Sequence, residues 1–185
     1  SIEVPQGRNG MTPSVSFSYS SQNSGEESIL GYGWSYADAK VARNTKKGID
    51  GMYDNDVEKR DNSFIVDLFG NSMEFVFTGY TSNGNYEWIY RLKNGADNYK
   101  LVSDRVLLNP IKGIFELRKF TLTDDSGNKY FFSVQQKSGD RVFALYLSSI
   151  EDLNGNKIEY TYTTDLNQIY PEKIKYDFVS GVAKT

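Results

Sequence analysis

Carboxylates stand at four places in this chain where their spacing could support chemistry. Asp152-x-Asn154-x-Asn156 alternates oxygen donors as a calcium loop would, and Asp124-Asp125, Asp54-x-Asp56-x-Glu58 and Glu26-Glu27 offer further acidic groups. A calcium loop of the EF-hand kind needs glycine at its sixth position and glutamate at its twelfth. Counted from Asp152, Gly155 is fourth and Thr163 is twelfth. A glycosidase pair must face itself across a cleft of about 5–10 Å, which sequence neighbours do not ensure. The chain has no histidine and no cysteine. The commonest general base, the commonest zinc ligand and the thiolate nucleophile are therefore missing. The expectation is no catalytic residue, no metal and no cofactor, with the acidic side chains serving loops and turns.

Aromatic rings are the second candidate. Tyr86, Trp88 and Tyr90 share one face of a strand, as rings do in a sugar-stacking platform, while Glu87, Ile89 and Arg91 face the other way. Rings in a sheet also pack a core with no ligand, and the core is the preferred reading.

Hairpin turns must position these groups. Asp152, Gly155 and Asn156 sit between the strand ending at Ile150 and the alternating run Ile158, Tyr160, Tyr162. An Asp side chain accepts backbone N–H groups two residues on, and Gly takes the positive φ that closes a three-residue loop. Asp124, Gly127 and Asn128 repeat the pattern before Tyr130, Phe132 and Val134, and Asp67, Gly70 and Asn71 repeat it before Met73, Phe75 and Phe77. These turns begin at 67, 124 and 152, spacings near a double and a single step, with a degraded middle copy expected at Asn94-Gly95.

Composition agrees with sheets. Aromatic residues make up 15% of the 185 residues, and they suit a pleated, half-buried surface. A chain this long buries about 70% of its unfolded surface, enough for a core without staples. A net charge of −3 with no basic run lacks the footprint of a nucleic-acid binder. No apolar run approaches the ~20 residues of a membrane-spanning helix. One β-rich domain over 1–185, cut from a longer chain, is expected.

Along the chain, Val15, Phe17 and Tyr19 alternate with serines as a strand. Ile29–Tyr36 places Gly31 and Gly33 beside a Trp34 expected to be buried. Residues 37–45 are ambiguous between helix and strand, and Gly48–Asn62 is a polar loop. Asn83-Gly84 and Ser138-Gly139 mark further hairpins. Val106–Leu108, Pro110 and Gly113–Leu122 suggest one long kinked strand, and Tyr170-Pro171 a break before a last strand, Lys173–Phe178. The fold expected is all-β, mostly antiparallel consecutive hairpins forming a curved sheet, a sandwich or a partial shell.

The segments VPQGRNGMTPSVSFSYSS and LGYGWS resemble the opening of the Salmonella plasmid virulence protein B (SpvB) family. That opening is shared with B components of insecticidal Tc toxins and with RHS/YD-repeat proteins. The match rests on Pro5, Gly7, Gly10, Met11, Pro13, Tyr19, Ser20, Gly31, Gly33, Trp34 and Arg43. Later it rests on Leu147, Ile150, Asp152, Gly155, Asn156, Tyr160, Tyr162, Pro171, Ile174 and Tyr176. The resemblance implies a hairpin shell around a toxic C-terminal segment, a secreted or cell-surface bacterial protein, and partners in the rest of its own polypeptide or in other toxin-complex subunits. The family's ADP-ribosyltransferase belongs to a separate C-terminal domain and is not inherited, and tandem YD repeats are missing. A non-catalytic structural module is expected; the alternative is an extracellular glycan- or surface-binding module.

Overall fold

The computed structural model describes residues 3–23, 27–28, 31–46, 48, 63–82, 86–109, 114–165 and 168–176. The loop after Gly48, the Asn83-Gly84 turn, Pro110, and Glu26, Asp54, Asp56 and Glu58 lie outside them.

The strands are β1 Phe17–Tyr19, β2 Glu27–Ser28, β3 Gly31–Tyr32, β4 Trp34–Tyr36, β5 Ala39–Arg43, β6 Ser63–Leu68 and β7 Asn71–Tyr80. They continue with β8 Glu87–Leu92, β9 Tyr99–Asn109, β10 Ile114–Asp124, β11 Lys129–Ser138, β12 Arg141–Glu151, β13 Lys157–Asp165 and β14 Gln168–Tyr176. Every pairing is antiparallel, and the described helices are single 3-10 turns at Arg8–Gly10 and Ser21–Asn23.

Strands β5 to β12 close into an eight-stranded barrel, because β12 pairs with β11 on one side and with β5 on the other. This corrects the expected curved sheet, sandwich or partial shell. Closure needs coiled, tilted strands, and register shifts at Phe77/Gly79, Leu117/Lys119 and Phe132/Val134 supply local twist. The barrel is solid. Phe64, Phe75, Trp88, Tyr90, Leu101, Phe120, Phe132 and Leu145 are almost wholly buried inside it.

The edge of β12 is shared. Ala144–Tyr146 pair with β5, and Ser149–Glu151 pair with Glu159–Lys157 of β13. Beyond Glu159 the β13–β14 hairpin diverges from the barrel wall and packs Tyr162 edge-on against Tyr146. The N-terminal segment runs beneath this hairpin, where Tyr176 Oη donates to the Pro5 carbonyl at 3.0 Å and Met11 packs on the core.

Three strand expectations change. Tyr99–Asn109 and Ile114–Asp124 are two antiparallel partners, not one kinked strand. The last strand runs through Pro171 from Gln168, and Pro171, which has no N–H to give a ladder, sits on a strand paired on one side among the described residues. Trp34 is 45% exposed, on a small β1–β4 ribbon against Tyr19 at 5.3 Å. The close approach at Gly33 is to Tyr19, whose Cε2 would lie 2.8 Å from an added Cβ.

Candidate functional site

Four described connections gather at one end of the barrel, following β6, β8, β10 and β12. Two of them are the same structure. At Asp152 the backbone N–H and C=O meet the Asn156 carbonyl and the Gly155 N–H, each at 3.1 Å. The Asp152 carboxylate accepts from the N–H groups of Asn154 and Asn156 at 2.8 Å and from Asn156 Nδ2 at 2.6 Å. Asp124 repeats this with Gly127 and Asn128, and also accepts from Tyr130 Oη at 3.1 Å. Gly155 and Gly127 hold φ of 78° and 82°. The Asn156 amide, helped by backbone N–H groups, holds the Asp152 carboxyl below its ordinary range. Donors occupy these carboxylates from within their own loops, and among the described residues no group of three acidic side chains is placed to hold a metal.

The third copy differs. Leu68 pairs directly with Asn71, so Asp67 lies in β6 opposite Ser72, and the turn is the two residues Phe69 and Gly70 at φ 50° and 93°. Both positive angles mark a tight two-residue hairpin. Phe69 is anchored there: its N–H donates to the Asp38 carbonyl at 3.1 Å and its ring packs 6.3 Å from that of Tyr160. The expected middle copy, Asn94-Gly95, lies in the connection after β8, with Gly95 at φ 80°.

The aromatic trio does not form a platform. Trp88 and Tyr90 are inside the barrel at 2% and 0% exposure, and only Tyr86 is exposed. Arg105 explains part of this arrangement. Its guanidinium lies 3.8 Å over the Trp88 ring and donates to Tyr90 Oη at 2.7 Å and to Ser103 Oγ at 3.2 Å. A buried cation is thus matched by a π face and two oxygens.

A second buried charge was missed in the sequence reading. Glu116 Oε2 meets Arg141 Nε at 2.6 Å and Oε1 meets Arg43 Nη2 at 3.4 Å. The carboxylate also accepts the Leu117 and Val142 N–H groups. Glu116 lies beyond the stretch where β10 pairs with β11, which covers only Phe120–Thr123. There the barrel wall is joined by side chains: Arg141 Nη2 reaches the Phe115 carbonyl and Gln135 Nε2 the Leu117 carbonyl. No local pattern signals Glu116, because its partners are far away in sequence.

The geometry is that of a filled barrel with a branching hairpin. The family model for SpvB, the Salmonella virulence plasmid 65kDa B protein, matches residues 1–131. This chain belongs to the SpvB family. Among curated proteins, none matches this SpvB-family chain. Among solved structures, the N-terminal domain of the effector protein SpvB from Salmonella typhimurium strain LT2 superimposes with a TM-score of 0.65 at 17% identity, over 96% of this chain and 62% of that one. The TcdB2-TccC3 crystal structure superimposes with a TM-score of 0.65 at 15% identity, over 90% of this chain and 9% of that one. The Photorhabdus luminescens Tc holotoxin pore gives 0.62 at 15%, over 89% and 8%. At these identities the likeness concerns the fold. The SpvB-family chain spans less than two thirds of each of these structures.

Proposed function

We propose that this barrel is a non-catalytic structural module of a toxin-like polypeptide, contributing to a wall around a downstream effector segment. One observation carries this reading: a barrel filled by its own side chains superimposes on a small share of much longer toxin chains. In that role the partners are the rest of its own polypeptide or other toxin-complex subunits, and the protein acts outside the producing cell. None of the helices among the described residues is long and apolar enough to cross a membrane. In this reading, chemistry on a host target falls to other segments.

The test uses the natural full-length polypeptide. Trp88→Ala removes the largest buried side chain and should unfold or loosen the barrel. The downstream segment should then be cut quickly by a protease that leaves it intact in the parent protein. Equal protease sensitivity of that segment in the two proteins, with the barrel shown to be unfolded in one, would refute the wall. Transferase or glycosidase activity in residues 1–185 alone would refute the non-catalytic assignment.

A further inference from the structure

A cleft of about 680 Å³ opens at the end of the barrel, between the first residues of β7 and the connection that follows β8. Strand β8 ends at Leu92, while the register of β6 with β7 carries on to Asn71. The gap so left is spanned by the chain from Lys93 to Asn98. Met73, Leu92 and Tyr99 line it and also pack against the core, so the cleft has an apolar floor. Apart from Ala96, its exposed lining is polar: Asn71, Ser72, Lys93, Asn94 and Asn98.

The charges in this cleft are already matched. Glu74 accepts Lys93 Nζ at 3.0 Å on both oxygens, Lys46 Nζ at 3.0 Å on one, and Asn44 Nδ2 at 3.0 Å on the other. Lys93 is therefore not free to select an anion, and Glu74 is not free to select a cation. What remains is neutral. Asn94 uses Oδ1 to accept the Ala96 N–H, which leaves its amide nitrogen. The amides of Asn71 and Asn98 and the Ser72 hydroxyl make no hydrogen bond to a described residue. Each amide sets a donor beside an acceptor, a spacing that suits vicinal hydroxyl groups, and the Tyr99 ring offers an apolar face to C–H groups. An apolar floor with a few convergent polar groups is the usual build of a small-ligand site.

We propose that this cleft binds a neutral saccharide. The inference is independent of the structural role above, since a wall can also carry a recognition site. It places saccharide recognition past the end of β8 and not on Tyr86, Trp88 and Tyr90.

The isotope-labelled chain, titrated by NMR with lactose, maltotriose, cellotriose and chitotriose, gives the test. At least one sugar should shift the amides of residues 71–74 and 92–99, with a Kd on the order of 1 mM. High salt should leave that Kd unchanged, because no charge is involved. The Asn71→Ala/Asn98→Ala double variant changes only exposed side chains. It should melt with the parent yet bind about tenfold more weakly, each lost hydrogen bond contributing in proportion. No shift with any of the four sugars, shifts confined to other regions, or unaltered binding by the double variant would overturn the proposal. So would preferential, salt-sensitive binding of sialyllactose, which would mark an anion site.

Discussion

Glu116 and Arg141, from β10 and β12, meet at 2.6 Å across a stretch of wall that no backbone ladder closes on the β11 side. The contact joins strands that are not neighbours in the sheet order, since β11 stands between them where the ladder is complete. Arg43 of β5 joins the same carboxylate at 3.4 Å, its Nε donating to the Val142 carbonyl at 2.8 Å. One carboxylate thus ties three strands at the end of the barrel where Arg141 begins β12.

Glu116→Gln should destabilise the fold by about 2 kcal/mol. Removing one partner of a buried pair typically costs about 3–5 kcal/mol. Arg141 is 25% exposed, so solvent screening reduces that figure. Denaturant unfolding measures the loss, and hydrogen exchange should rise at Val142 and Leu117 before it rises at Leu101. A uniform rise across the barrel would argue against a local seam.

The turn glycines should matter through their backbone angles. An added Cβ at Gly155 meets nothing within 4 Å, so Gly155→Val tests chiefly the φ of 78°. The expected cost is more than about 1 kcal/mol. Asp152→Asn keeps an acceptor for the N–H groups of Asn154 and Asn156 and should cost less. Chemical denaturation of both variants decides the order.

Those turns also show how far the sequence could be read. The Asp-x-x-Gly-Asn pattern identifies two of its three sites because the bonds that define the turn run within five residues. At Asp67 the same letters make a different turn, because Phe69 is held by Asp38 and Tyr160. Alternation placed Trp88 and Tyr90 indoors but could not show that Tyr86 lies exposed at 48%. Closure of the barrel was illegible for a physical reason. It rests on Ala42 pairing with Ala144 and on Arg43 reaching Glu116, and neither strand carries a local signal for so distant a partner.

Two tyrosines should respond differently to loss of the hydroxyl. Among the described residues the buried Tyr160 hydroxyl meets no hydrogen-bond partner. Tyr160→Phe should therefore leave the melting temperature unchanged or raise it, by up to about 1 kcal/mol of stability. Tyr90→Phe deprives Arg105 of a 2.7 Å acceptor and should cost about 1–3 kcal/mol. Thermal melts should place Tyr160→Phe at or above the parent and Tyr90→Phe below it. A drop for Tyr160→Phe as large as that for Tyr90→Phe would break the assignment.

Stability should fall at both extremes of pH, for different groups. Asp152, Glu74 and Glu159 are held below their ordinary range, chiefly by bonds from Asn156, from Lys46 and Lys93, and from Lys157. Depressed folded-state values stabilise above the unfolded values of about 4 and lose that contribution as pH falls through the folded ones. These groups lie at the surface, so the acid slope should be shallow. Burial raises Tyr130, Tyr146, Tyr160 and Tyr162. Raised values stabilise below the unfolded value of about 10, and the contribution is lost as pH climbs beyond it. Melting temperatures across the pH range should show the steeper fall on the alkaline side. Tyr162→Phe should flatten that side, and an unchanged alkaline slope would remove Tyr162 from the account.

The last prediction concerns β14. Among the described residues it pairs with β13 alone, and β13 leaves the barrel wall after Glu159. Pro171, Lys173 and Lys175 lie along it, the residue types that natural sheets place on edges to resist chance pairing. An edge so protected resists chance pairing, yet its amides have one ladder instead of two. In residues 1–185, exchange across Gln168–Tyr176 should therefore be faster than across β12, which is paired on both sides. If the barrel is one unit of a wall, adding the natural downstream sequence should slow exchange in β13 and β14 and leave β6 to β10 unchanged. Faster exchange in β12 than in β14 would contradict the edge assignment. Unchanged protection of β14 in the longer chain would show that the wall does not continue from this hairpin.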